Sequence, residues 1–241
     1  AGQSDLHGAA LFSLHQLPML RTIVYPMLKV LFFALVVRPV IFVVLGLNVR
    51  NKDKLPWKWP AVIAANHNSH LDGMVLMSLL PLRVLHRLRP VAAADYFLAN
   101  RWLAWFTLNV IGIIPLDRTG TISREHIFDD CKAALDENQI LILFPEGTRG
   151  EPEKMGELKK GLYYLVAERP DVNVTPVVLH GLGRALPRGE ALLVPFNCDV
   201  IVGEPLSPSE NAEHFVQQLA DTYEELFQHC LTRQPEEEIG Q

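Results

Sequence analysis

Cysteine is scarce in this chain. Cys131, Cys198 and Cys230 stand far apart in 241 residues, and no C-x-x-C pair occurs. That excludes a disulfide framework and a cysteine-based zinc site as organising devices, and it fits a reducing, cytosolic compartment. In such a compartment the N-x-T triplet at Asn173 carries no meaning as a glycan acceptor. Charge is sparse as well: 20% of residues are charged against 49% hydrophobic, and mean hydropathy is +0.14. The formal net charge of −5 gives a nucleic-acid partner no global electrostatic support. No internal repeat or low-complexity tract is present. The length suits one α/β domain with a substantial core. The chain opens on Ala-Gly rather than Met, so residues 1–16 are expected to be a disordered or vector-derived start. The charged tail at 233–241 is expected to fray.

What the chain does have is one long apolar run, "IVYPMLKVLFFALVVRPVIFVVLGL", from Ile23 to Leu47. It is long enough to span a bilayer. Arg38 and Pro39 interrupt it, so the expectation is two helices that dip into one leaflet, with Lys29 and Arg38 snorkelling to the phosphates. Between residues 21 and 58 the basic side chains Arg21, Lys29, Arg38, Arg50, Lys52, Lys54 and Lys58 are opposed by Asp53 alone. Such a bias favours an anionic cytoplasmic leaflet. Trp57 and Trp59 are placed for the headgroup level. Residues 17–50 therefore read as a membrane-anchoring helical pair, monotopic or interfacial, and 51–232 as the domain that would carry any chemistry.

Beyond this segment, short β-branched runs alternate with helical stretches. Strands are predicted at 61–66, 89–94, 111–116, 139–145, 173–179 and 191–203. Helices are predicted at 71–80, 95–109, 123–138, 157–168 and 210–231, the last with Ser209 as N-cap. The alternation predicts an α/β fold: a single domain with a central mixed, mostly parallel sheet flanked by helices. The two closely spaced final strands predict an antiparallel portion.

Three polar clusters fall at strand ends, where the loops of an α/β sheet gather into sites. In "NHNSHLD" (66–72), Asp72 lies five residues after His67. From a first helical turn it can reach back to the imidazole, making one ring nitrogen a donor and leaving the other as a proton acceptor. No serine or cysteine stands beside the pair as a nucleophile, so the simplest chemistry is direct activation of a substrate hydroxyl. A metal site at His67, His70 and Asp72 is the rival reading. Its spacing is uncommon and a fourth ligand is missing. A polar turn without chemistry is the third, with His70 at the helix start. In "FPEGTRG" (144–150), Gly147 permits close backbone approach. Arg149 offers a fork of donors to a phosphate while Glu146 holds a second group. Arg118 in "PLDR" supplies a second guanidinium, and Lys159 and Lys160 add to a positive rim.

These blocks resemble the glycerolipid acyltransferases. "NHNSHLD" resembles the family's N-H-x-x-x-x-D signature, and "FPEGTRG" is similar to its F-P-E-G-T-R-S block. "GIIPLDR" and "VTPVVL" resemble the second and fourth blocks, in the right order between about residues 60 and 180. The apolar amino-terminal segment also resembles the anchors of bacterial 1-acylglycerol-3-phosphate acyltransferases. The resemblance implies acyl transfer from acyl-coenzyme A or acyl carrier protein to a lysophospholipid hydroxyl, most simply the 2-hydroxyl of lysophosphatidic acid. No cofactor or metal is implied. The setting implied is the cytoplasmic face of a bacterial inner membrane. His67 would be the base and Asp72 its orienter. Arg118, Glu146, Gly147, Thr148 and Arg149 would bind the phosphate, and Asn66 and Pro176 would shape the site. Gly150 replaces the usual serine and Asp117 adds an acidic group, which leaves other lyso-lipid acceptors open. A phospholipid-binding module without turnover is a further class, although binding alone needs no base. Met74, Met77, Trp102 and Trp105 are expected to wall an acyl tunnel, and Arg83, Arg87 and Arg89 are candidates for docking an acidic carrier protein.

Overall fold

The computed structural model describes residues 23–94, 100–117, 126–148, 155–185, 197–209 and 211–233. Its centre is a seven-stranded sheet. The strands are β1 (Gly46–Arg50), β2 (Ala61–Ala65), β3 (Leu88–Ala93), β4 (Ile114–Leu116), β5 (Ile140–Leu143), β6 (Asn173–His180) and β7 (Asn197–Val202). Their spatial order is β1-β7-β6-β2-β5-β3-β4. β2 to β6 run parallel. β7 is antiparallel to β6, and β1 is parallel to β7. The sheet is thus mixed and mostly parallel, as the alternation of elements predicts.

The central strands are continuously apolar because helices cover both faces. Successive side chains point to opposite sides. Ala61, Ile63 and Ala65 join Ile140, Ile142 and Leu179 in one core, while Val62 and Ala64 join Leu141, Leu143 and Val178 in the other. The first core lies under α1 (Tyr25–Val44) and α2 (Asp72–Leu79). The second lies under α4 (Asp129–Asp136), α5 (Gly161–Val166) and α6 (Ala212–Phe227), while α3 (Arg101–Phe106) stands beside β4 in sequence. The N-cap of α6 is Asn211, whose side chain accepts from the His214 amide at 2.8 Å. Ser209, the expected cap, instead donates to the Asn211 carbonyl. Several observed elements are shorter than expected: the helix expected at 123–138 is seen at 129–136, and that at 157–168 at 161–166. The strand expected from 111 begins at Ile114, because a π turn at Thr107–Ile111 extends α3.

The amino-terminal segment departs most from expectation. It does not break at Arg38-Pro39 but forms one helix, α1, of 20 residues. A π turn at Phe33–Val37 precedes the proline, and the Arg38 amide donates to the Phe33 carbonyl. The wider turn makes room for a ring that would collide with an ordinary helical carbonyl. Neither basic side chain reaches outward. Lys29 is buried and its Nζ donates to the Leu88 carbonyl at 2.6 Å, while Arg38 donates to the Leu80 carbonyl. Together with Phe33, Val37 and Ile41 they fasten one stripe of α1 to the domain. The opposite stripe is bare and apolar: Leu35 is 71% exposed and Val43 84%. The chain then enters β1, which pairs with β7 at the edge of the central sheet and is tied to it by Asn48, whose Nδ2 donates to Asp199 Oδ1 at 2.5 Å. The expected domain boundary at residue 50 therefore falls after the first strand of the sheet.

Tyr223 of α6 is fully buried, and its hydroxyl has no hydrogen-bond partner among the described residues. An unmatched buried hydroxyl costs about 1–3 kcal/mol of desolvation. Tyr223→Phe keeps the ring and removes that group. Thermal unfolding should show a melting temperature equal to or above the parent's, and a fall of several degrees would mean that the hydroxyl is satisfied.

Candidate functional site

Because β2, β3, β4 and β5 are parallel, their carboxyl ends open on the same side of the molecule. The loop from Asn66 to Leu71 leaves β2 there, and four hydrogen bonds fix it. The Asn66 side chain extends the ladder to β6, accepting from the Leu179 amide at 2.7 Å and donating to the Leu179 carbonyl at 2.9 Å. Asn68 donates to the same carbonyl at 2.9 Å. The His67 amide donates to Glu146 Oε1 at 2.8 Å.

Asp72 opens α2 and is fully buried. Its Oδ2 lies 2.9 Å from His67 Nδ1 and also accepts from the amides of Asn68 and Ser69 at 2.7 and 2.8 Å. The five-residue spacing thus places the carboxylate within hydrogen-bond reach of the ring, as expected. An ionised carboxylate only accepts, so the proton between them sits on Nδ1 and Nε2 is left as the basic nitrogen. Phe144, at the end of β5, stacks on the imidazole with centroids 4.1 Å apart and planes 20° from parallel. The ring is held from below by the carboxylate and from one face by the phenyl group.

His67 forms part of the wall of a cavity of about 640 Å³. Met74 and Met77 line it, together with Pro90 and Val91 of β3. Trp102 and Trp105 do not. Asn100 caps α3, its Oδ1 accepting from the Trp102 and Leu103 amides, and this sets the helix phase. Leu103, Phe106, Thr107 and Ile111 then face the cavity at helical spacing. Trp102 points away, 66% exposed, and Trp105 packs edge-on against Tyr25 of α1 at 6.1 Å. The wall was readable in principle: counting by three and four from the Asn100 cap gives the four residues that do line it.

The loop after β5 also differs from expectation. Gly147 has φ +73°, a conformation that favours glycine, and it lines the mouth of the cavity with Thr148. Glu146 does not face the mouth. It is 4% exposed, and its second oxygen accepts from the Gly156 amide at 2.7 Å. Both carboxylate oxygens are thus spent on backbone N–H groups, and the residue clasps the base-bearing loop to the segment that follows the phosphate block. Burial pushes its carboxyl above the usual carboxylate range, while the two amides and the nearby His67 pull the other way. Pro176 is buried within β6, in register with Ala64, and does not line the cavity. Its carbonyl accepts from the Gly203 amide. Arg118, Arg149 and Gly150 lie outside the described residues. Of the expected carrier-docking arginines, Arg89 is committed to the Gly112 carbonyl at 2.5 Å and to Gln139, and Arg87 lies over the Trp59 ring; Arg83 is exposed. His70 borders the cavity. Among the described residues no three His, Cys, Asp or Glu side chains converge on a common metal position.

A histidine oriented by a buried carboxylate, set in the wall of an apolar cavity, can take a proton from a hydroxyl held inside that cavity. The family model described as Acyltransferase matches residues 46–180. The chain is 30% identical over 166 residues to the chloroplastic 1-acyl-sn-glycerol-3-phosphate acyltransferase of Arabidopsis thaliana, covering 68% of this chain and 44% of that protein. It is 29% identical over 182 residues to the mouse 1-acyl-sn-glycerol-3-phosphate acyltransferase alpha, covering 73% of this chain and 60% of that one. It therefore matches about half the length of these curated relatives. Among solved structures, the 1-acyl-sn-glycerophosphate acyltransferase of Thermotoga maritima superposes with a TM-score of 0.68 over 95% of this chain and 90% of that one, at 17% identity, which is a likeness of fold. The chain belongs to the acyltransferase family.

Proposed function

We propose that this chain transfers a fatty acyl group from an acyl thioester, acyl-coenzyme A or acyl carrier protein, to the free 2-hydroxyl of a 1-acylglycerol 3-phosphate, releasing phosphatidic acid and a free thiol. The observation that carries the reading is the His67–Asp72 pair in the wall of the 640 Å³ apolar cavity. The acceptor follows from the names of the relatives.

His67 Nε2 removes the hydroxyl proton as the oxygen attacks the thioester carbonyl. The tetrahedral intermediate collapses, the carbon–sulfur bond breaks, and the imidazolium returns the proton to the departing thiolate. Asp72 keeps Nδ1 protonated throughout and offsets the charge on the imidazolium. No side-chain nucleophile is needed. Gly147 and Thr148, with Arg118 and Arg149, form the phosphate end of the site, and Met74, Met77, Leu103 and Phe106 take the acyl chain. The bare apolar stripe of α1 lies in the membrane, whose leaflet supplies the acceptor.

The test is free-thiol release from palmitoyl-coenzyme A, and from palmitoyl-acyl carrier protein, by the chain in detergent, with and without lysophosphatidic acid. Acceptor-dependent release with either donor is expected. Equal release without acceptor would identify a thioesterase. Lipid binding with no release from either donor would replace transfer by binding alone.

A further inference from the structure

The sequence places two lysines side by side after the glycine-rich loop, and the structure gives them different surroundings. Lys160 points away from the cavity and pairs with Glu213 of α6. Lys159 lines the cavity, together with His67, Gly147 and Thr148. Its backbone is fixed there, because its amide donates to the Pro145 carbonyl at 2.8 Å. Its stem lies over Gly147, with Cγ 3.9 Å from where a Cβ on that glycine would stand. Among the described lining residues it is the one lysine or arginine.

Among the described residues the ammonium has one carboxylate partner. Lys159 Nζ lies 2.6 Å from Glu157 Oε2, and the two side chains are 56% and 82% exposed. An exposed pair two residues apart is weak, because water screens it and two long side chains must be held still. A phosphate monoester carries about −1.5 to −2 charge at pH 7 and offers three acceptor oxygens. At the rim of an apolar cavity it is a stronger partner for the ammonium than Glu157.

We propose that Lys159 binds the phosphate of the acceptor at the mouth of the cavity, and that Glu157 is the resting counter-ion which the phosphate displaces. The proposal rests on the acyl-transfer reading for its ligand, a 1-acylglycerol 3-phosphate, and adds a headgroup-selecting cation to the glycine-rich loop. The acyl chain enters the cavity beside Met74 and Met77, and the phosphate stays at the rim where Lys159 meets it. A neutral monoacylglycerol gains nothing from this residue.

The experiment is calorimetric titration of 1-acylglycerol 3-phosphate, and separately of 1-monoacylglycerol, into the full chain in detergent without acyl donor. Lys159→Gln is expected to weaken binding of the phosphate lipid by about tenfold or more, the usual range for losing a hydrogen bond to a charged group. Lys160→Gln should stay within about twofold of the parent, as a neighbouring charge outside the cavity does. Glu157→Gln should bind the phosphate lipid more tightly than the parent. Monoacylglycerol should bind all four proteins alike. Parent-like affinity in Lys159→Gln, equal losses in Lys159→Gln and Lys160→Gln, or equal losses for both lipids would overturn the proposal. Thiol release in the same preparations reads the acyl-transfer step separately. Phosphate-selective binding without transfer would leave Lys159 in place and remove the transferase reading.

Discussion

Replacing His67 by alanine is expected to lower acceptor-dependent thiol release by about 10²–10⁴-fold, the usual contribution of a positioned general base. The size of the effect follows from how fully the ring is prepared. Asp72 fixes Nδ1 as the protonated nitrogen at 2.9 Å, and Phe144 fixes the ring plane at 4.1 Å, so the ring meets substrate already oriented. The acceptor should bind His67→Ala within a few-fold of the parent, because the rest of the cavity wall and the rim at Gly147, Thr148 and Lys159 are unchanged. Asp72→Asn is the informative companion. It keeps an oxygen for the Asn68 and Ser69 amides and loses the charge that stabilises the imidazolium. A loss of about 10²-fold with little change in melting temperature is expected. Asp72→Ala differs in kind. It strips both amides of their acceptor in a fully buried setting, at about 1–3 kcal/mol for each unsatisfied group. A chain of this size loses about 2–4 °C of melting temperature per kcal/mol. Measuring both quantities for the three variants therefore separates base, orienter and scaffold. Retained transfer in His67→Ala would remove the base assignment.

The sequence made some of this legible and hid the rest for identifiable reasons. β2, β5 and β6 are apolar runs buried on both faces, and such runs announce themselves whatever surrounds them. The pairing of His67 with Asp72 depends on five residues of local chain and on a helix that starts where the apolar pattern resumes. β1 was hidden because "GLNVR" continues an apolar segment that reads as one block, and what recruits it is the distant edge of β7. Lys29 and Arg38 were misread for the same kind of reason. A cation in an apolar helix has two outlets, headgroups or a buried carbonyl, and only the packing of α1 on Leu80 and Leu88 selects the second. Trp102 and Trp105 are large and apolar, but the helix phase set by Asn100 decides which side chains meet the cavity. Glu146 was assigned by its neighbours in the glycine-rich block, and its actual partners, His67 and Gly156, lie 79 and 10 residues away.

That last displacement has a large measurable consequence. Glu146→Gln is expected to lower kcat by about 10–100-fold, the scale on which a misplaced catalytic group loses rate, while KM for the acceptor stays within a few-fold. Both partners of the carboxylate are N–H donors. A carboxylate offers each of them an oxygen, but an amide has one oxygen and one NH2, so either the His67 or the Gly156 amide must face another donor. If His67 loses its contact, the backbone that carries the base shifts. If Gly156 loses its contact, the segment leading to Lys159 shifts. Gly156→Ala attacks the same clasp from the other side: a Cβ there would stand 2.8 Å from Glu146 Oε2, and the buried carboxylate has little room to yield. It should reproduce the kcat loss in milder form. Stability sharpens the distinction. Burial raises the carboxyl above its ordinary value, so the folded state holds that proton more tightly than the unfolded one. The group's contribution to stability is then present below its ordinary pKa and is lost as pH rises through the raised value, so at neutral pH the buried charge disfavours folding. Glu146→Gln removes this pH-dependent burden while adding one mismatched contact, so its melting temperature should fall less at pH 8 than at pH 5. A phosphate ligand would behave differently, raising KM for 1-acylglycerol 3-phosphate and sparing kcat, and that outcome would return Glu146 to the mouth of the cavity.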